Sequence, residues 1–255
     1  MSSIVEIKPD KRRILYPLFQ SNKYDTVLIN SVLEGHFGTA YADSDSQPSV
    51  ARLDSGAFTL LGGDSESPQV LELLSLAPIH YVTPESKKWR ELLKEFGDHI
   101  TRLTFTEFHA TSLNIQHLKE IIGLLPQGFI LKRVDIEIAQ CLTTELNNEY
   151  FFENFHSIDD FITCGIGYCI LYQERVVSAA TSMAMCNDAI DIEIETSTDF
   201  RGKSLGSFVG AKLVLYCLEN NIEPKWLAAN EISEQLALKL GYTKGKKYET
   251  YKINH

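Results

Sequence analysis

Between Ala189 and Thr196 the chain alternates Ile190, Ile192 and Ile194 with Asp191, Glu193 and Glu195. Period-two alternation with β-branched residues predicts a strand with one apolar face and one face bearing three carboxylates. After Phe200 the composition turns to Arg201, Gly202, Lys203, Ser204, Leu205 and Gly206. Leu205, Phe208, Val209, Leu213, Tyr216 and Cys217 then come at the i, i+3, i+4 spacing of an amphipathic helix. Asn220 and Asn221, residues that tolerate a left-handed cap, close it.

The helix start therefore falls inside the turn 201–206. Its first N–H groups lack intrahelical partners, and the macrodipole makes that end partly positive. Gly202 and Gly206 let a ligand approach the backbone, and Arg201 and Lys203 add charge. Such a turn suits a diphosphate. A solvated βα turn is the alternative reading. The string matches neither G-x-x-x-x-G-K-[ST] nor G-x-G-x-x-G.

The residues downstream of the helix narrow the choice. Pro224 to Ala229 reads as a short strand. Asn230 reads as the N-cap of a short helix with Leu236, Ala237 and Leu240 on one face, and Gly241 as its C′ residue.

The succession of strand, glycine turn, long helix, strand, Asn-capped helix and Gly-aromatic resembles the GNAT superfamily of acyl-CoA-dependent N-acyltransferases. Arg201 to Gly206 is similar to the family's (Gln/Arg)-x-x-Gly-x-(Gly/Ala) turn. Asn230 to Tyr242 is similar to its Asn-x-x-Ala/Ser-x-x-Leu-Tyr segment. Gly165 to Ala180, with a polar turn at Gln173 and Glu174, resembles the β2–β3 hairpin. The likeness covers roughly residues 128–255. It is nearest to a bacterial group that includes an aminopolyol-antibiotic (zwittermicin) resistance acetyltransferase.

The resemblance implies a mixed twisted sheet flanked by helices (an α/β, or α+β, fold) and acetyl-CoA as co-substrate. It places the diphosphate on the backbone of Arg201, Gly202, Lys203, Ser204, Leu205, Gly206 and Ser207. The pantetheine arm would lie along Ile194, Glu195 and Thr196, with Asn230 contacting it. Two positions depart from the pattern. Ser204 replaces the middle glycine of the turn, and Ala237 stands where many members carry the tyrosine that protonates the thiolate. Tyr242 and Tyr248 are the substitute acids to consider. A non-catalytic acyl-CoA-binding regulator is the alternative that these departures raise.

An amine attacks a thioester only after losing its ammonium proton, so a base is needed. Glu193, then Asp191, then Glu195 are the candidates, because clustered carboxylates raise one another's proton affinity. The alternative is that this strand face is simply solvated.

The 255 residues carry a formal charge of −10 and a pI near 5.2. That balance argues against a non-specific nucleic-acid binder and is compatible with a small cationic amine as acceptor. Five cysteines without a C-x-x-C pair, and no signal-like N-terminus, predict reduced thiols, each a buried structural residue, in a cytoplasmic protein. Seven scattered histidines form no H-x-x-x-H pair, so no metal is expected. No apolar run is long enough for a membrane helix. The terminal stretch 245–255 offers an edge through which a homodimer could form.

Residues 1–125 are expected to form an N-terminal α/β domain, with 126–255 as the GNAT domain and Pro126 to Gly128 as the boundary. Helices are predicted over 11–20, 26–34, 70–76, 85–96 and 113–124. Strands are predicted over 49–53, 57–61, 79–82 and 100–108. Thr83 before Pro84 reads as a helix N-cap. The run from Val82 to Leu93 echoes a GNAT strand-turn-helix without its glycines. This half is thus either a degenerate GNAT copy that binds no CoA, obstructed at Trp89 and Arg90, or an unrelated α/β cap.

Overall fold

The computed structural model describes residues 4–75, 81–84, 86–95 and 100–253. The chain packs as two compact units. One comprises residues 1–105 and 247–255, the other residues 106–246.

Unit 1 holds β1 (Val5–Glu6), a 3-10 segment Pro9–Leu15, α1 (Tyr16–Phe19), α2 (Thr26–Glu34), β2 (Thr39–Ala42), β3 (Val50–Ser55), β4 (Phe58–Gly63), α3 (Val70–Ser75), β5 (Tyr81–Val82) and α4 (Lys87–Glu95). Strands β1 to β4 form an antiparallel meander, and β5 joins β4 in parallel at Phe58↔Tyr81 and Thr59↔Val82. Val50, Leu61, Leu73, Val82, Trp89 and Leu93 make its core.

Unit 2 begins within β6 (Ile100–His109) and holds α5 (Ile115–Gly123), β7 (Phe129–Arg133), α6 (Ile136–Leu146), α7 (Ile158–Cys164), β8 (Gly167–Tyr172), β9 (Arg175–Met185), β10 (Ala189–Thr196), α8 (Leu205–Glu219), β11 (Glu223–Ala228) and α9 (Glu231–Leu240). Its sheet runs β6-β11-β10-β9-β8-β7, with β10 and β11 parallel and the other pairs antiparallel. The last strand, β12 (Thr243–Ile253), leaves unit 2 and ends in unit 1, where Tyr251 and Lys252 pair with β5.

Local chemistry accounts for these elements. The β8–β9 hairpin turns on Gln173 and Glu174, both at positive φ, as a two-residue hairpin requires. Asp135, Ser157 and Asn230 each cap a helix by accepting from the amide three residues on. Gly241 ends α9 at φ +103°.

The sheet of unit 2 is covered on both faces. Ile190, Val209, Leu213, Trp226 and Leu240 share one core with α5 and α8. Ile138, Leu142, Phe151, Phe155 and Phe161 share the other, below α6 and α7. The aromatic run 147–162 is thus mainly a packing face.

Several sequence expectations are revised. The boundary expected at 126 falls inside unit 2, where Phe129 N–H donates to Pro126 O in a tight α5–β7 connection. Residues 9–19 form a 3-10 segment and one α turn rather than one helix. Thr83 is buried and its hydroxyl meets that of Thr250; Ser86 Oγ instead accepts from Trp89 N at the start of α4. Cys164 is exposed. Positions 76, 79–80, 85 and 96 of the expected elements lie outside the described residues.

Topology also relocates the internal echo. In unit 2 a meander leads through β10 and α8 to parallel β11. In unit 1 a meander leads through β4 and α3 to parallel β5. In that succession the segment 64–69 stands where the turn 201–206 stands in unit 2. Among the described residues no helix is long and apolar enough to cross a membrane.

Helix α8 lies close on β10 because Gly210 lacks a side chain. A Cβ there would sit 3.3 Å from both Ile194 Cδ1 and Leu240 Cδ1. Gly210→Val should overpack this seam and lower stability by about 1–3 kcal/mol, read as a fall in the urea midpoint at constant m-value.

Candidate active site

Strand β10 pairs with β9 along its whole length, from Ile190↔Met185 to Thr196↔Ser178, with a one-residue register shift after Asp191. Its parallel pairing with β11 stops at Asp191↔Lys225. Beyond that point the two strands part, and α8 and α9 flank the gap. The result is a cleft of about 660 Å³. Its walls are Ile192 to Thr196, the turn Phe200 to Ser207, Trp226 and Leu227, and the α9 face Asn230, Ile232, Ser233, Gln235, Leu236 and Lys239. Of the residues expected to hold the cofactor, Ile194, Glu195, Thr196, Arg201, Gly202, Ser204, Leu205, Gly206, Ser207 and Asn230 line this cleft. The exception is Lys203, whose Nζ lies 6.0 Å above the Phe200 ring.

The turn has the backbone of an anion cradle. Gly202 takes φ +78°, with open space where a Cβ would stand. Ser204, the N-cap of α8, takes φ +61°, so a serine occupies a left-handed position at about 1–2 kcal/mol of strain. The N-terminus of the 15-residue α8 points the positive end of its dipole into this region. Arg201 is fastened back onto β10. Its Nη2 lies 3.2 Å from Glu195 Oε1 and its Nε donates to Thr196 O. The same Glu195 oxygen accepts from Thr196 N–H at 2.8 Å.

The three carboxylates of β10 fare differently. Asp191 is 5 % exposed and is not among the cleft-lining residues. Glu195 is committed to Arg201. Glu193 lines the cleft, and its Oε1 accepts from Asn148 Nδ2 at 2.7 Å. The amide of Asn148 is fixed from the other side, because Oδ1 accepts from Tyr150 N–H. Asn147, in the left-handed conformation at the end of α6, turns the chain to deliver it. Burial pushes the Glu193 carboxyl up to about 7. The Asn148 hydrogen bond pulls the other way, and the negative charges of Glu195 and Glu153 raise it further. The carboxylate face is therefore only partly solvated: Asp191 is buried, and Glu193 and Glu195 are half-buried along the cleft.

Neither substitute tyrosine faces the cleft. Tyr242 is buried, donates to Pro224 O at 3.0 Å, and has its proton affinity raised well above normal by burial. Tyr248 stacks on Tyr24 in unit 1, with ring centroids 4.1 Å apart. Ala237 is fully buried.

Sequence reasoning missed Asn148, which sits 45 positions before Glu193 with no motif to link them. It also missed Lys239, whose Nζ lies 3.1 Å from Ser204 Oγ. Helical spacing did carry a signal there, since Ile232, Leu236 and Lys239 share one face of α9.

Comparison with known proteins agrees with this geometry. A GNAT acetyltransferase family model matches residues 16–251. The uncharacterized N-acetyltransferase YdfB of Bacillus subtilis (strain 168) is 27 % identical over 98 % of this chain and 99 % of its own. The crystal structure of a GCN5-related N-acetyltransferase-like protein from Streptococcus suis 89/1591 superposes with a TM-score of 0.84 at 28 % identity, covering 96 % of this chain and 99 % of that one. A tandem GNAT protein from the clavulanic acid biosynthesis pathway shares the fold, with a TM-score of 0.61 at 11 % identity and 97 % of each chain covered. With a mixed sheet flanked by helices, a parted β10–β11 pair and a matching model over nearly its whole length, this chain belongs to the GNAT acetyltransferase family.

Proposed function

We propose that this acetyltransferase moves an acetyl group from acetyl-CoA to the primary amine of a small molecule, with Glu193 as the base. The observation that carries the reading is the placement of Glu193. It lies on the strand edge that lines the cleft, has a proton affinity near neutrality, and shares that cleft with the glycine turn of α8.

In this reading the acetyl-CoA diphosphate rests on the backbone of 201–207. Its pantetheine arm runs along 194–196, where β10 has parted from β11, as an added strand would. The acceptor enters as an ammonium ion and gives one proton to Glu193, directly or through a water. The neutral nitrogen attacks the thioester carbonyl, an N–C bond forms, and the C–S bond breaks. As the amide forms, its nitrogen sheds a second proton, which neutralises the departing thiolate, and Glu193 releases the first to solvent. A free thiol has a pKa of about 8.5, so the thiolate leaves without a strong acid beside it. This fits the burial of Ala237 and Tyr242 away from the cleft. Asp191 and Glu195 act on the site indirectly, the first from within the strand and the second by anchoring Arg201. The comparisons lend no support to a non-catalytic acyl-CoA-binding regulator.

Two outcomes test the reading. Because Glu193 must be ionised to accept a proton, kcat/KM should rise with pH through about 7. Glu193→Gln should remove that limb and lower kcat by about 10²–10⁴-fold; an unchanged profile would sink the assignment. The same variant should be more stable than the parent at pH 8. The native carboxyl is raised from 4.5 to about 7. The folded state therefore holds the proton more tightly, and stability is lost as pH rises from about 4.5 through 7. That loss amounts to about 3 kcal/mol, which a glutamine does not incur, so the gap in melting temperature should close in acid.

Acetyl-CoA at a hundredfold excess over Kd should add about 2.7 kcal/mol to stability. Gly206→Glu, which sets a carboxylate and bulk in the turn, should abolish that shift in a thermal melt.

A further inference from the structure

We propose that Lys239, and not Arg201, is the side-chain cation that binds the diphosphate of the acyl-CoA substrate. The inference rests on the cofactor placement given under Proposed function.

Four observations converge on it. Lys239 lies in the last turn of α9, yet its Nζ reaches across to Ser204 Oγ at the first turn of α8. It lines the same cleft as Gly202, Gly206 and Ser207. Among the described residues no carboxylate lies within ion-pair distance of it, although this chain carries ten more acids than bases. The two cations of the turn itself are engaged elsewhere. Arg201 is paired with Glu195 and bonded to Thr196 O, and Lys203 lies over Phe200.

Charge accounting separates the roles. The Arg201–Glu195 pair is nearly neutral as seen from the cleft, so it fixes the end of β10 and the entry to the turn rather than attracting an anion. The ammonium of Lys239 is held by a neutral hydroxyl, which leaves its full charge and two of its three donors for a ligand. A diphosphate resting on the α8 amides would meet that ammonium from the α9 side. It would then be held between a helix N-terminus and a flexible point charge. On the same α9 face, Ile232 is 81 % exposed beside the cleft, an apolar surface for the non-phosphate parts of the ligand.

The test is titration calorimetry and steady-state kinetics on the full chain with three ligands: acetyl-CoA, 3′-dephospho-acetyl-CoA and acetyl-pantetheine. Lys239→Gln should weaken both CoA ligands about tenfold, raise KM for acetyl-CoA with a much smaller change in kcat, and flatten the salt dependence of binding. It should leave acetyl-pantetheine unaffected. Ser204→Ala and Arg201→Gln, which disturb the turn but leave the Lys239 ammonium in place, should each lose less CoA affinity than Lys239→Gln. A melting temperature within a few degrees of the parent checks that each variant is folded; a Lys239→Arg variant that restores binding replaces any that is not. Equal CoA affinity in the parent and Lys239→Gln would overturn this inference alone. So would a penalty that disappears with 3′-dephospho-acetyl-CoA, or a larger loss in Arg201→Gln than in Lys239→Gln. A parent protein that binds none of the CoA ligands would overturn the cofactor placement as well.

Discussion

Everything in the site depends on one broken ladder. Parallel strands β10 and β11 share three register pairs and then separate after Asp191↔Lys225. A sheet with continuous pairing would leave no room for a ligand between its strands. Separation exposes a stretch of β10 backbone whose polar groups still require partners, and it opens the space that the first turns of α8 and α9 border. The gap is held open from the helix side. Ile194 packs under Gly210, Leu240 closes the far side, and Trp226 Nε1 donates to Ser233 Oγ between β11 and α9. The walls of the gap are thereby set by packing against the apolar core.

Packing around β10 also has an electrostatic consequence. Glu193 is enclosed by the segment after α6 and has a single strong donor, Asn148. A carboxylate on a solvated strand would stay ionised well below neutrality. Enclosure and two neighbouring acids bring its titration to the pH at which a base is useful. Under the proposed role of Glu193 as base, the burial that destabilises its ionised form is also what gives it the proton affinity the reaction uses.

Much of the cleft was legible in the sequence because its signals are local. The alternation of Ile190, Ile192 and Ile194 with three acids fixed the strand and its faces. Glycines and basic residues fixed the turn, and Asn230 and Gly241 fixed α9. The relations that give each carboxylate its role were not legible. Glu195 differs from Glu193 because Arg201 folds back onto it, and Glu193 differs from Asp191 because Asn148 arrives from a distant helix end. Those are tertiary contacts with no periodicity. In the first half, Thr83 before Pro84 looked like a cap, but its hydroxyl met Thr250 and Ser86 took the cap. There a long-range contact overrode a local preference.

The placement of the two long strands bears on how the chain can be made. Unit 2 takes a strand, Thr106 to His109, from ahead of the sequence boundary, and unit 1 takes one from residues 247–253. Thr83 and Thr250, which meet in unit 1, are 167 positions apart. During synthesis the earlier unit cannot complete its sheet until nearly all of the later one has been made, and its β5 edge waits unpaired until then. Loop closure over that separation is slow compared with forming the local hairpins. A nascent chain of this protein therefore relies on the later unit folding promptly, and a ribosome stalled between the two would hold an incomplete sheet rather than a finished domain.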